Sequence, residues 1–185
     1  MAESLRPNVM RISQVYYNSG GGDEQYTPAY GVEILLPHIR HLKDKIIWCP
    51  FDTEDSQFVK ILRSNGFRVV FSSIKNNQDF LEYEPEQWDV ILSNPPYTNK
   101  RIFWERCLAL GKPFALLLPI NILSDSAINS TIRDERRLSL LIPSRRMRFY
   151  NAQTGETGKQ PTFKAAYFGV DFFREPIILV DMELR

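Results

Sequence analysis

Apolar residues along this chain fall into short runs separated by amphipathic stretches, a pattern that predicts strands alternating with helices. From Thr27-Pro28 the spacing is helical: Pro28 suits a first turn, and Val32, Leu35, Leu36 and Ile39 recur at intervals of one to three residues on a single stripe. Ile46-Ile47-Trp48-Cys49, stopped by Pro50, predicts a buried parallel strand. Phe58, Val59 and Leu62 share one face of a helix that Asp55 or Ser56 can cap and Asn65-Gly66 ends. Val69-Val70-Phe71 predicts a second strand, residues 79–80 a short third, and Val90-Ile91-Leu92 a fourth. A helix capped by Thr98 runs to Leu110 and closes at Gly111. The run Phe114-Ala115-Leu116-Leu117-Leu118 is the most apolar in the chain and predicts a central strand. A polar helix over 126–136, a strand over 138–142 and a loop over 143–161 follow. The last two strands, near 165–170 and 177–180, have no helix between them and predict an antiparallel edge. The fold class is α/β, a mostly parallel central sheet with helices on both faces.

Residues 1–25 carry no period and include Ser19-Gly20-Gly21-Gly22, which predicts a flexible arm ahead of one domain over 26–185. Composition narrows the class. Hydrophobic residues at 43% and charged residues at 24% describe a globular chain, and 185 residues suffice for a core without disulfide staples. Lys+Arg 23 against Asp+Glu 22 excludes a polybasic coat but not a local basic face. Cys49 and Cys107 make neither a disulfide scaffold nor a zinc site and suit a reducing compartment. His38 and His41 lie three residues apart with no third ligand nearby, so no metal is expected. No run approaches about 18 apolar residues, which predicts a cytoplasmic protein without a membrane partner.

In open α/β sheets ligands bind beyond the carboxyl ends of the strands, near the switch in strand order. The residues that matter are those just after each strand, and Asn94-Pro95-Pro96-Tyr97 carries the most information. Two prolines stiffen the backbone and remove two donors, leaving carbonyl acceptors. The Asn94 side-chain oxygen is another acceptor, and Tyr97 offers a flat π-face. Such a cradle suits a planar group with an exocyclic amine: acceptors on its N–H protons expose the nitrogen lone pair while the ring is stacked.

On these residues the chain resembles the S-adenosylmethionine-dependent amino methyltransferases, most of all the N6-adenine methyltransferases of bacteria and their phages, in which an Asn/Asp-Pro-Pro-Tyr/Phe tetrapeptide holds the target amine. The resemblance runs from Tyr26 onward and implies a Rossmann-like methyltransferase fold. It implies that Asn94, Pro95, Pro96 and Tyr97 are catalytic. It implies cofactor contacts from Tyr26, Thr27 and Pro28, from Pro50, Phe51 and Asp52 after the first strand, and from the pair Asp79 and Phe80. Phe149 matches an aromatic residue that grips a flipped base opposite Tyr97. Lys100, Arg145 and Arg146 are candidates for substrate phosphate, within a basic cluster that includes Arg133, Arg136, Arg137 and Arg148. The implied reaction is methyl transfer to the N6 amine of adenine in DNA, with RNA or a protein glutamine as alternative substrates.

The chain departs from that pattern. Asp52-Thr53-Glu54-Asp55-Ser56 lacks the glycines that let the backbone approach the cofactor, and Cys49 stands where an acid is usual. Ser72-Ser73 replaces the acid that holds the ribose hydroxyls. Asp52 or Asp55 can take over an ammonium or ribose contact, or the acids can simply begin a solvated helix. No segment is long enough for a target-recognition domain, which implies little sequence preference and, by resemblance, a phage or prophage origin. A degenerate module of the same fold that only binds nucleic acid or protein is the rival from another class.

Overall fold

The computed structural model describes residues 25–126, 128, 131, 136–151 and 161–182. The arm expected over 1–25 lies outside these except for Gln25, as do Arg133 and the 152–160 part of the predicted loop. Strand β1 (Gln25–Tyr26) precedes helix α1 (Ala29–Glu33), β2 (Ile46–Cys49), α2 (Gln57–Ser64) and β3 (Arg68–Phe71). Then come β4 (Val90–Ser93), α3 (Lys100–Leu110), β5 (Phe114–Pro119), β6 (Leu138–Pro143), β7 (Tyr150–Asn151), β8 (Ala165–Val170) and β9 (Ile177–Val180).

Seven strands form one sheet in the order β3-β2-β4-β5-β8-β6-β9, and β1 pairs with β7 apart from it. β3, β2, β4 and β5 are parallel neighbours. β8 runs antiparallel to both β5 and β6, and β9 lies outside β6, parallel to it. The antiparallel element thus belongs to the predicted side of the sheet, set between β5 and β6 with β9 at the rim. This is a Rossmann-like α/β sheet, its winding reversing between β2 and β4.

Alternation along the strands divides the interior into two cores, as a sheet covered on both faces requires. Ile47, Cys49, Leu92, Ala115 and Leu117 pack with Val32, Phe58, Val59 and Leu62 of α1 and α2. Trp48, Ile91, Leu116 and Leu118 pack with Phe103, Trp104 and Cys107 of α3.

Three predicted elements differ. The first helix stops at Glu33 and gives way to single 3-10 turns over Leu36–His38 and Arg40–Leu42, because Pro37 has no amide hydrogen to continue it. No strand forms at 79–80: the Asp79 carboxylate accepts from the Leu81 amide (3.0 Å), and its carbonyl accepts from Glu82 (3.0 Å), which closes a turn. β4 is therefore the third strand of the large sheet in chain order. Finally, α3 begins at Lys100 after Asn99, not at a Thr98 cap.

Candidate active site

The winding reversal between β2 and β4 brings the loops after these strands to one crevice, and the tetrapeptide leaves β4 directly into it. β4 remains paired to β5 as far as Ser93–Leu116, so Asn94 is the first residue free of the ladder. Pro95 is buried, while Asn94, Pro96 and Tyr97 are half-buried. The Tyr97 ring meets Phe149 edge to face at 6.0 Å and 86°, and Phe163 at 5.5 Å and 75°. Phe149 is only 3% exposed. The parallel sandwich expected of Tyr97 and Phe149 is not the arrangement present. The two rings are in direct contact in the geometry aromatic pairs prefer, and no base fits between them as they stand.

Phe149 is held there from the N-terminal side. β1 pairs with β7, which follows Phe149 directly, and Tyr26 packs on Tyr150 at 5.9 Å. Thr27 and Pro28 are buried, and the Thr27 hydroxyl has no hydrogen-bond partner among the described residues. A Cβ on Gly31 would lie 3.0 Å from Thr27 Cγ2 and 3.1 Å from Met147 Sδ, so a larger residue there would require one of these side chains to give way by a few tenths of an ångström. Tyr167 donates to the Gly31 carbonyl (2.7 Å), and Tyr30 accepts from the Arg148 amide (2.8 Å). The predicted N-terminal motif and the tetrapeptide therefore border the same apolar cluster.

On the other wall, Pro50 is buried and Phe51 half-buried. Phe51 packs edge-on against Phe80 (5.0 Å) and Phe103 (4.9 Å). Phe80 has no exposed surface, being enclosed by Trp48, Phe51 and Phe103. It shapes the floor and presents no face to a ligand, contrary to its expected role beside a cofactor adenine. Asp79 is 7% exposed and its Oδ1 closes the turn described above. Of the two aromatic candidates, Phe51 keeps the accessible ring.

Asp52 also departs from expectation. Its side chain turns inward, 7% exposed, and Oδ2 accepts a 2.5 Å hydrogen bond from the Ser93 hydroxyl. Burial pushes its carboxyl up to about 6, against the opposing hydrogen bonds from Ser93 and Ser56. At the end of β3, Ser72 is fully buried and accepts from Trp48 Nε1 (2.9 Å), while the Ser73 hydroxyl accepts from the Lys75 amide. Both serines at the usual ribose position are thus engaged within the protein. Burial, with Asp52 adding, raises the Cys49 thiol well above its ordinary range, which removes it as a nucleophile. Burial raises Tyr167 as well, with Tyr97 and Asp52 adding.

The basic cluster does not act as one. Arg136 and Arg137 stand at the amino end of β6, engaged with Asp171 and with the carbonyls of Lys112 and Phe173. Arg145, Arg146 and Arg148 follow the carboxyl end of β6, on the crevice side, and are exposed. Lys100 is half-buried at the start of α3. Sequence reasoning did not single out Ser93, Phe163 or Tyr167. Ser93 adjoins the tetrapeptide and was findable by position; Tyr167 carries no local signal, because it reaches α1 only through the sheet.

No protein-family model matches the chain, and no curated protein matches it. Among solved structures it is similar to the tRNA (m1A58) methyltransferase TrmI from Aquifex aeolicus. The likeness has 14% identity and a TM-score of 0.35, covering 69% of this chain and 62% of that one. The match spans less than two thirds of that enzyme's length, and nothing about activity rests on it. Among the described residues, no helix is long and apolar enough to cross a membrane.

Proposed function

We propose that this chain transfers a methyl group from S-adenosylmethionine to an exocyclic nucleobase amine, the N6 of adenine in DNA, with little sequence preference. The observation that carries the reading is the exit of Asn94-Pro95-Pro96-Tyr97 from β4 at the point where the sheet reverses its winding. There the Asn94 side-chain oxygen and the Pro95 carbonyl accept the two amine protons, and Tyr97 stacks on the base once Phe149 withdraws. An amine inside a duplex is out of reach, so the base leaves the stack at a cost of a few kcal/mol. Arg145, Arg146 and Arg148, exposed after β6, suit phosphate contacts, which position a strand without reading its sequence. The buried Thr27 hydroxyl, without a partner among the described residues, and the half-buried Phe51 fit a donor that needs a hydrogen-bonding group and an apolar platform. When bound, that cofactor supplies an electrophilic sulfonium methyl; alignment of the amine lone pair with it is the main source of rate.

The test uses labelled cofactor on DNA, RNA and glutamine-bearing peptides, together with expression in a host lacking adenine methylation. N6-methyladenine in the host DNA supports the reading; label on RNA or peptide alone moves the activity to that substrate. One set of observations favours a second reading, a binding module of the same fold: the glycine-free loop, the inward Asp52 and the engaged Ser72 and Ser73. Absence of heat on titration with millimolar S-adenosylmethionine would decide for it.

A further inference from the structure

We propose that Asp52 is a positioning residue for the elbow at Asn94, acting through Ser93 and not on the methyl donor; the inference rests on the methyl-transfer reading above. β2 and β4 are in register at Ile47–Val90 and Trp48–Ile91, two residues short of the end of β4. β4 and β5 stay paired through Ser93–Leu116. Leu92 and Ser93, the last residues before Asn94, therefore have register partners on β5 and none on β2. Across the crevice, where the winding reverses, the bond from the Ser93 hydroxyl to Asp52 Oδ2 supplies the missing tie between residues 41 positions apart.

Asp52 is itself anchored. Its amide donates to the Ser72 carbonyl (3.1 Å), and the nearby Ser56 hydroxyl, which caps α2, opposes the upward push of burial on its carboxyl. Through its amide and its carboxylate, Asp52 thus joins the end of β3 to the end of β4, beside the start of α2. With Ser93 at 0% and Asp52 at 7% exposure, water competes little for this bond, and a carboxylate swung away from it would lose its partners in dry surroundings. Pro95 and Pro96 stiffen the chain beyond Ser93, so a shift there carries the elbow with it. A donor ligand would instead need its carboxylate turned toward the open crevice.

The test compares Asp52→Ala, Ser93→Ala, the double variant and the conservative Asp52→Asn. It reads kcat and KM, donor affinity by calorimetry, and hydrogen exchange of the amides within 93–99. Asp52→Ala and Ser93→Ala should each lower kcat by about ten- to a hundredfold and leave the donor Kd within about twofold. Exchange within 93–99 should accelerate equally in both, and the double variant should be no worse than either single, as for two ends of one bond. Asp52→Asn, which keeps an acceptor, should recover most of the rate. A donor Kd about tenfold weaker in Asp52→Ala, additive losses in the double variant, or unchanged exchange would overturn the proposal. If the parent chain methylates nothing, the methyl-transfer reading falls by itself, and exchange still decides: equal acceleration in the two alanine variants sustains the tie, and none ends it.

Discussion

Asp52 and Asp171 sit at opposite ends of the same sheet and meet opposite surroundings. Asp171, in the turn after β8, lies by the amino ends of β5 and β6 and is paired with Arg136 Nε at 2.7 Å. Partial burial pushes its carboxyl up. The Arg136 hydrogen bond, the Arg137 amide and the two guanidinium charges outweigh that and hold it below its ordinary value. Asp52, at the carboxyl ends of β2 and β4, has serine hydroxyls and, among the described residues, no paired cation, and burial wins. One end of the sheet is arranged to stabilise an ionised group; the other tolerates one that costs stability. Residues held at a cost are concentrated where sites are built, because a ligand or a reacting group needs a poised neighbour more than a stable one.

The comparison breaks most visibly at the elbow. Asn94→Ala should abolish methyl transfer, a loss of about a thousandfold or more, while the melting temperature stays within about 2 °C, since this half-buried side chain adds little to the core. Initial rates with labelled cofactor and a thermal melt check both halves.

Stability at the opposite end should respond the other way. Arg136→Ala removes a guanidinium whose side chain is only 16% exposed, takes the ion-pair partner from Asp171, which keeps the Arg137 amide, and leaves the Lys112 carbonyl without that donor. A loss of about 2–3 kcal/mol in urea denaturation is expected, with little change in kcat once the chain is folded. Because the folded pKa of Asp171 is depressed, its stabilisation is complete above the unfolded carboxylate pKa and disappears as pH falls through the folded value. The parent should therefore lose more stability on acidification than Arg136→Ala does.

Asp52→Asn sharpens the contrast. The folded pKa near 6 exceeds the unfolded one, so the folded chain keeps a proton that the unfolded chain releases between about pH 4 and 6. The penalty is full above pH 6 and vanishes below pH 4. The variant should be more stable than the parent at pH 8, by up to about 3 kcal/mol, and equal to it at pH 4. Equal stabilities at both pH values would show that the ionised carboxylate is better solvated than its burial implies.

The smallest effect concerns the exposed arginines. Neutralising Arg145 and Arg146 together should leave stability unchanged, weaken DNA binding by about three- to tenfold, and reduce the salt dependence by about two ions. Arg136 and Arg137, engaged at the far end, should show no such signature. A fluorescence titration at several salt concentrations separates the two pairs.

The strands were legible because their chemistry is local. Runs such as Ile46–Cys49 and Phe114–Pro119 are apolar on both faces, as only a covered sheet permits, and a proline or turn residue ends each one. The tetrapeptide was legible for the same reason, since rigidity and acceptors at Asn94-Pro95-Pro96-Tyr97 belong to the residues themselves. The predicted strand at 79–80 failed because Asp79 offered the backbone a turn of its own, which outweighs a short apolar pair.

By itself, then, the sequence determined the alternation of elements, the two buried faces and the chemical character of the elbow, all set by neighbours within a few residues. Tertiary structure alone decided which groups meet: that Asp52 answers Ser93, that Phe149 rests edge-on against Tyr97, that Phe80 is enclosed, and that Arg136 and Arg137 stand at one end of the sheet while Arg145, Arg146 and Arg148 stand at the other. Those outcomes depend on strand order and on the burial it imposes. A carboxylate, an aromatic ring or a guanidinium is worth different amounts in water and in a dry interior, and no local pattern states which of the two it will find.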